Sequence, residues 1–142
     1  YAEFDGSPMS RKLGWSNDRH DWFYSDSYRT AANIGLDYEW FGIDEGQCAA
    51  VDRLQEFLLE DARRNQFHTY EINGTVAQSD VLHPVAIIAT VAQGSLAANN
   101  PFTNEWIERF WNTPMRTGVR RYYDNCLYFF AFLALSGKYR IW

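Results

Sequence analysis

Apolar positions in the first half of the chain recur with the three- and four-residue spacing of amphipathic helices. Ala31, Ile34 and the cluster at 36–40 predict a helix over about 27–41, although Gly35 is unfavourable inside one. A second helix is predicted over about 47–65, with Glu and Arg on its outer face and a stripe formed by Val51, Leu54, Phe57, Leu58 and Ala62. The segment before them, residues 1–24, is predicted to be irregular.

An alternating pattern interrupts the helical one between residues 67 and 82. It surrounds Asn73-Gly74, the strongest two-residue signal for a β-hairpin turn, so the pattern predicts a short hairpin. The tripeptide Asn73-Gly74-Thr75 also matches the glycosylation acceptor pattern. With no secretory signal in view, we favour the turn.

Three further helices are predicted after Pro84. The stretch "VAIIATVAQGSLAA" is apolar on nearly all sides, which is typical of a buried helix over about 84–98. Thr103 is placed to cap a fourth helix that ends at Pro114, and the last helix is expected over about 118–135 with Gly137 as its stop.

These elements predict an all-α protein in which residues 1–142 form one unit. Amphipathic helices alternate with wholly apolar ones, so we expect two concentric layers. The inner helices would be buried, and the outer helices would expose one face to solvent. A ring of helical hairpins fits this pattern.

Composition narrows the classes of partner. The net charge of −5 comes with no basic face, which argues against nucleic acid, and no apolar run is long enough for a membrane span. Six Trp, nine Tyr and ten Phe suit stacking against sugars as well as they suit a large aromatic core. Cys48 and Cys126 are expected to be free thiols. The compartment stays open, with the cytoplasm favoured.

Motifs for common chemistries are absent from the sequence. There is no G-x-S-x-G, P-loop, G-x-G-x-x-G or H-E-x-x-H pattern, so serine hydrolase, nucleotide-binding and zincin classes have no support. His20, His68 and His83 are widely spaced and have no ligand-like pairing. We therefore predict neither a metal nor a cofactor.

Carboxylates among aromatic residues are the remaining candidates. Asp26 lies where the first helix should start, so it is either a helix cap or a working carboxylate, and Arg29 lies one turn away to hold it ionised. His83 precedes the buried helix, which places it at the mouth of a hairpin rather than in the core. Tyr122, Tyr123 and Asp124 open the last helix. They either pack and hydrogen-bond within the fold or turn their polar groups to the end where Asp26 lies.

At three stretches the sequence resembles glycoside hydrolase family 8, whose fold is an (α/α)6 barrel and whose members invert configuration. They are "YSDSYRTAANIGLDYEWF", "LHPVAIIATVAQGSLAA" and "RRYYDNCLYFFAFLALSGKYRIW". The first resembles the family segment that carries the general base, and the last resembles the usual carboxyl-terminal end. The resemblance covers nearly the whole chain, and these three stretches carry it.

The resemblance implies roles for individual residues. Asp26 would be the base that activates water, with Arg29 matching the arginine that follows it. Leu82-His83-Pro84 resembles the loop that blocks the cleft beyond one sugar in the reducing-end xylose-releasing exo-oligoxylanases, where the histidine contacts the terminal xylose. Tyr28, Tyr122 and Tyr123 are further candidates for substrate binding.

One departure from the family concerns the general acid. An inverting glycosidase needs two carboxyl groups about 6.5–9.5 Å apart, one acid and one base. In the family the acid comes from the amino-terminal half of the barrel, and nothing around Glu3 or Asp5 resembles its motif. The chain therefore resembles the carboxyl-terminal half of a catalytic domain, with the amino-terminal half as its missing partner.

The sequence leaves three functions open. The first is an inverting hydrolase of xylo-oligosaccharides that releases xylose from the reducing end. The second is a family enzyme of another specificity: an endo-acting xylanase, a chitosanase or a β-glucanase. The third is a helical binding fragment without turnover. Because half a barrel would expose inner helices such as 84–98, we expect part of a longer chain, a nicked product or an oligomer.

Overall fold

The computed structural model of the chain describes residues 4–9, 20–42 and 45–141. Within these residues, a 3-10 turn at Ser25–Tyr28 leads into six α-helices and one hairpin. The elements are α1 (Arg29–Phe41), α2 (Glu45–Phe57), α3 (Leu59–Arg64), β1 (Thr69–Tyr70), β2 (Val76–Gln78), α4 (Pro84–Gly94), α5 (Thr103–Asn112) and α6 (Arg121–Leu135). The predicted all-α class is confirmed.

Helix α4 is the centre of the fold. Every residue from 86 to 94 is buried, and the helix packs against α1, α5 and α6. Pro84 lies in its first turn, where a missing N–H costs nothing. The helix ends at Gly94, four residues earlier than predicted, because the main chain then tightens into three-residue turns in which Ser95 N bonds Ala92 O and Ala97 N bonds Gly94 O.

The predicted second helix is broken at Leu58 into α2 and α3. Val51, Leu58 and Ala62 of its apolar stripe are buried as predicted, whereas Phe57 is about half exposed and meets the edge of Tyr70 in the hairpin. Gln55 lies inside α2 and is fully buried. Its amide donates to Val91 O at 3.0 Å and to Ser95 Oγ at 2.8 Å, which fixes α2 on α4.

The predicted hairpin is confirmed as the antiparallel pair β1 and β2. Gly74 adopts φ +84°, which a side chain would strain, and Asn73 Oδ1 accepts a hydrogen bond from Thr75 N. Phe23 N donates to Tyr70 O at 2.8 Å. The hairpin therefore holds the segment that leads into the start of α1.

The last two helices differ from prediction mainly at their starts. Thr103 is the first residue of α5 and not its cap; the N-cap is Phe102, whose N–H donates to Asn100 Oδ1. Helix α6 begins three residues later than predicted because Gly118 and Arg120 have positive φ values of 75° and 67°. Gly137, with φ +68°, ends it as predicted.

Exposed apolar side chains lie on α6 and the loop before it, among them Met115, Val119, Tyr122, Phe129, Phe130 and Phe132. The expectation that α4 would be exposed in this chain is therefore wrong, because α1, α5 and α6 already enclose it. Neither Cys48 nor Cys126 forms a disulfide, as predicted. No helix in the described ranges has both the length and the apolar character needed to cross a membrane.

Candidate active site

The entry into α1 presents Asp26 at the surface. The N-cap residue of α1 is Tyr28 and that of the preceding 3-10 turn is Tyr24, so Asp26 occupies neither capping position. Ser27 secures the turn instead, since its Oγ accepts a hydrogen bond from Tyr24 N at 2.8 Å. The turn thus leaves the Asp26 side chain 44% exposed.

Arg29 forms an ion pair with Asp26 across one turn. Its Nη2 lies 3.0 Å from Asp26 Oδ1, and its Nε donates to the Asp26 carbonyl oxygen at 3.4 Å. Both side chains are about half exposed, so the pair contributes little to stability. Its effect is to restrict the orientation of an accessible carboxylate.

Tyr123 connects this carboxylate to the amino-terminal end of α4. Its hydroxyl donates to Ser25 O at 3.0 Å, and its ring lies 4.4 Å from the His83 ring, centroid to centroid. Burial raises the pKa of Tyr123, and the negative charge of Asp26 raises it further. Asp26, Tyr123 and His83 therefore lie at the same end of the molecule.

A fully buried carboxylate, that of Asp124 in α6, holds the His83 side chain in place. His83 Nδ1 lies 2.8 Å from Asp124 Oδ2, and Arg116 Nη1 lies 2.7 Å from the same oxygen. The other oxygen, Oδ1, accepts a hydrogen bond from Ala86 N at 2.9 Å in the first turn of α4. Arg116 also donates to the Leu82 carbonyl. The loop before α4 is thus anchored at both Leu82 and His83.

Four predicted site residues come together: Asp26, Arg29, Tyr123 and His83. Leu82 lies beside them, half buried. His83 is more buried than predicted, 8% exposed, because Asp124 draws its ring toward α6. It lies at the N-cap of α4 rather than in an open mouth.

Two tyrosines do not join this group. Tyr28 is 1% exposed and its hydroxyl oxygen is buried, so it packs in the core and the prediction that it contacts a sugar is wrong. Tyr122 is 82% exposed and lines a separate hollow on α6 with Phe129 and Phe130. Adjacent residues on a helix point about 100° apart, which is why Tyr122 and Tyr123 diverge.

Arg116 is the functional candidate that sequence reasoning missed, whereas Asp124 was considered with Tyr122 and Tyr123 but was not linked to His83. Asp124 had one visible signal, a carboxylate in the first turn of an apolar helix, but that position also suits the helix dipole. Arg116 lies in an irregular loop and carries no periodic signal. Only the fold brings these side chains to His83.

The chemistry available at this end is that of proton transfer and sugar contact. No cluster of three or more His, Cys, Asp or Glu suited to a metal ion occurs in the described part of the chain. An exposed carboxylate with a neighbouring guanidinium is suited to accept a proton from water. The tilted aromatic ring and the imidazole beside it are suited to a sugar face and a hydroxyl group.

No family model matches the chain. Among curated proteins, the chain is 49% identical over 142 residues to the reducing-end xylose-releasing exo-oligoxylanase Rex8A of Paenibacillus barcinonensis, covering 100% of the chain and 36% of the relative. It is 52% identical over 147 residues to the reducing end xylose-releasing exo-oligoxylanase of Bifidobacterium adolescentis, covering 99% of the chain and 37% of the relative. The chain thus spans about a third of these relatives.

Solved structures give the same result. Rex8A of P. barcinonensis in complex with xylose matches with a TM-score of 0.90 and 47% identity over 99% of the chain and 36% of that structure. A second relative, a reducing end xylose-releasing exo-oligoxylanase, matches with a TM-score of 0.89 and 48% identity over 100% of the chain and 36% of that structure. The predicted resemblance to these enzymes, and to part of a helical barrel, is confirmed.

Proposed function

We propose that this chain, a homologue of the reducing-end xylose-releasing exo-oligoxylanases along its whole length, supplies the general base and the sugar-binding loop of an inverting glycoside hydrolase. The substrate is a xylo-oligosaccharide, and the product is xylose from its reducing end. The observation that carries the proposal is the grouping of Asp26, Tyr123 and His83 at one end of a fold that these enzymes share.

Asp26 acts as the base. In an inverting reaction, a carboxylate takes a proton from the water that attacks the anomeric carbon. Asp26 is accessible to solvent and Arg29 limits its orientation through the 3.0 Å ion pair. The proton leaves water as its oxygen bonds to the anomeric carbon, and the carboxylate holds that proton. The bond from that carbon to the glycosidic oxygen breaks at the same time, and the general acid donates a proton to this oxygen, which departs as a hydroxyl group of xylose.

His83 and Leu82 form the wall that receives the last sugar. Their loop is anchored through Asp124 and Arg116, so it cannot swing freely. A solved variant of Rex8A from P. barcinonensis carries alanine and serine at an adjacent leucine and histidine. This chain has one Leu-His pair, Leu82-His83. A fixed wall one sugar beyond the scissile bond would limit the enzyme to single-residue release.

The general acid comes from outside these residues. Inversion requires a second carboxyl group about 6.5–9.5 Å from the base, on the opposite side of the sugar ring. No carboxylate of this chain other than Asp26 was predicted to take part, and the relatives are about three times as long as the chain. We assign the acid to the remainder of the catalytic domain.

Product analysis tests this function in the complete enzyme. Xylotriose carrying deuterium at the anomeric carbon of its reducing-end residue should give labelled xylose and unlabelled xylobiose. Reduction of that end to the alditol provides the control, because the wall should then reject or weakly bind the altered residue. Label retained in xylobiose, or cleavage at internal bonds of longer substrates, would contradict the proposal.

A further inference from the structure

We propose that Asp124 is a positioning residue for sugar binding. Its carboxylate fixes the neutral His83 imidazole as the Nδ1–H tautomer, so that Nε2 accepts a hydrogen bond from a hydroxyl group of the bound sugar. This inference rests on the proposed function, which gives His83 its sugar contact. Asp124 itself touches no substrate.

The geometry determines which nitrogen of His83 carries the proton. An ionised carboxylate has only hydrogen-bond acceptors, so the Nδ1 atom 2.8 Å from Asp124 Oδ2 must donate. In a neutral imidazole, the second nitrogen is then an acceptor. A sugar hydroxyl group can donate to it, whereas the opposite tautomer would present an N–H.

The surroundings of Asp124 favour its role as an acceptor. Arg116 supplies the counter-charge at 2.7 Å, and Ala86 N–H donates to the other oxygen at 2.9 Å. These contacts offset the cost of burying the carboxylate. They also tie Asp124 to the first turn of α4, from which the His83 loop enters the helix.

The His83 ring is fixed in orientation as well as in tautomer. Tyr123 lies 4.4 Å away on one side, while Asp124 holds Nδ1. Nε2 has no hydrogen bond to another residue in the described ranges, and 10% of the side-chain surface remains accessible. A ligand can therefore reach the imidazole without breaking the contact with Asp124.

The tautomer of His83 can be measured by nitrogen-15 NMR. The complete enzyme, labelled at histidine and studied in mildly alkaline buffer, should show His83 with a protonated Nδ1 and an unprotonated Nε2. The variant His83→Ala identifies the signals by their loss. A wild-type imidazole protonated at Nε2 would overturn the inference, and this measurement needs no change at Asp124.

Two further variants test the consequence for binding. In Asp124→Asn the new amide can donate to Nδ1, so the tautomer should reverse and the affinity for xylose, measured by calorimetry, should fall about tenfold. Asp37→Asn is the matched control, since it makes the same change at an exposed carboxylate of α1. We expect it to keep the wild-type tautomer.

The results separate this inference from the proposed function. Weaker xylose binding in His83→Ala but not in Asp124→Asn would overturn the role of Asp124 alone. Unchanged xylose binding in His83→Ala would overturn the sugar contact itself. An Asp124→Asn variant that keeps both the wild-type tautomer and the wild-type affinity would also overturn the inference.

Discussion

Two tyrosines in or next to the 3-10 turn that carries Asp26 hold their phenolic protons more tightly than a tyrosine in water. Burial is the main cause that raises the pKa of Tyr28 and of Tyr123 above the ordinary value of 10. The folded state therefore binds these protons better than the unfolded chain. This contribution to stability is fully present below pH 10 and is lost as pH rises through the raised values.

The substitution Tyr28→Phe isolates this effect because it keeps the buried ring and removes the ionisation. We expect the free energy of unfolding of the complete enzyme to fall less steeply above pH 10 in the variant than in the wild type. Urea denaturation over a series of pH values measures both slopes. The slopes of the variant and the wild type should agree near neutral pH. Equal slopes above pH 10 would contradict the raised pKa of Tyr28.

Residue types and their neighbours in sequence identified part of the site. Asp26, Arg29, Tyr123 and His83 were candidates from the sequence, and the fold groups them. Tyr28 could not be recognised as a core residue, because its burial depends on packing against distant segments. The contact of His83 with Asp124 joins residues 41 positions apart, and no local pattern predicts it.

At the scale of the elements, the crossing of α1 over α4 depends on a glycine. A Cβ atom on Gly35 would overlap the carbonyl oxygen of Gln93. Gln93 in turn donates its side-chain amide to Ala32 O at 3.1 Å. The two main chains approach closely because position 35 has no side chain. The close approach of the two helices explains why glycine, which is unfavourable inside a helix, occurs at position 35.

The substitution Gly35→Ala should therefore destabilise the enzyme, despite the higher helix propensity of alanine. We expect a loss of about 1–3 kcal/mol in the free energy of unfolding, the usual cost of overpacking. Asn33→Ala, at an exposed position of the same helix, is the control and should be neutral or slightly stabilising. Equal stability of Gly35→Ala and the wild type, in urea denaturation, would show that α1 and α4 can separate without cost.

The hydrophobic periodicity predicted the presence of the helices and the hairpin more accurately than it predicted their ends. The predicted helices and the hairpin are all present, because each buries a face that its own sequence displays. The sequence predicted neither the break at Leu58 nor the early end of α4 at Gly94. Sequence alone carries no signal for such breaks, since the apolar stripe continues through them.

For the molecule as a whole, the exposed apolar face lies on α6 and not on α4. Phe129 and Phe130 line a hollow with Arg121 and Asn125, and further aromatic side chains of α6 are about half exposed. Apolar patches of this kind usually mark contact surfaces. The remainder of the catalytic domain is the partner that the proposed function requires, and that assignment stays a prediction. So does the expectation that residues 1–142 form one unit.

We propose above all that Asp26 is the general base of the complete enzyme. The most direct test is the turnover number on xylotriose of Asp26→Asn, which keeps the shape of the side chain and removes its basicity. Asp37→Asn is the matched control, because Asp37 is an exposed carboxylate on α1. We expect a loss of about 10²–10⁴-fold for Asp26→Asn and wild-type turnover for Asp37→Asn. A value for Asp26→Asn within about tenfold of the wild type would contradict the proposal.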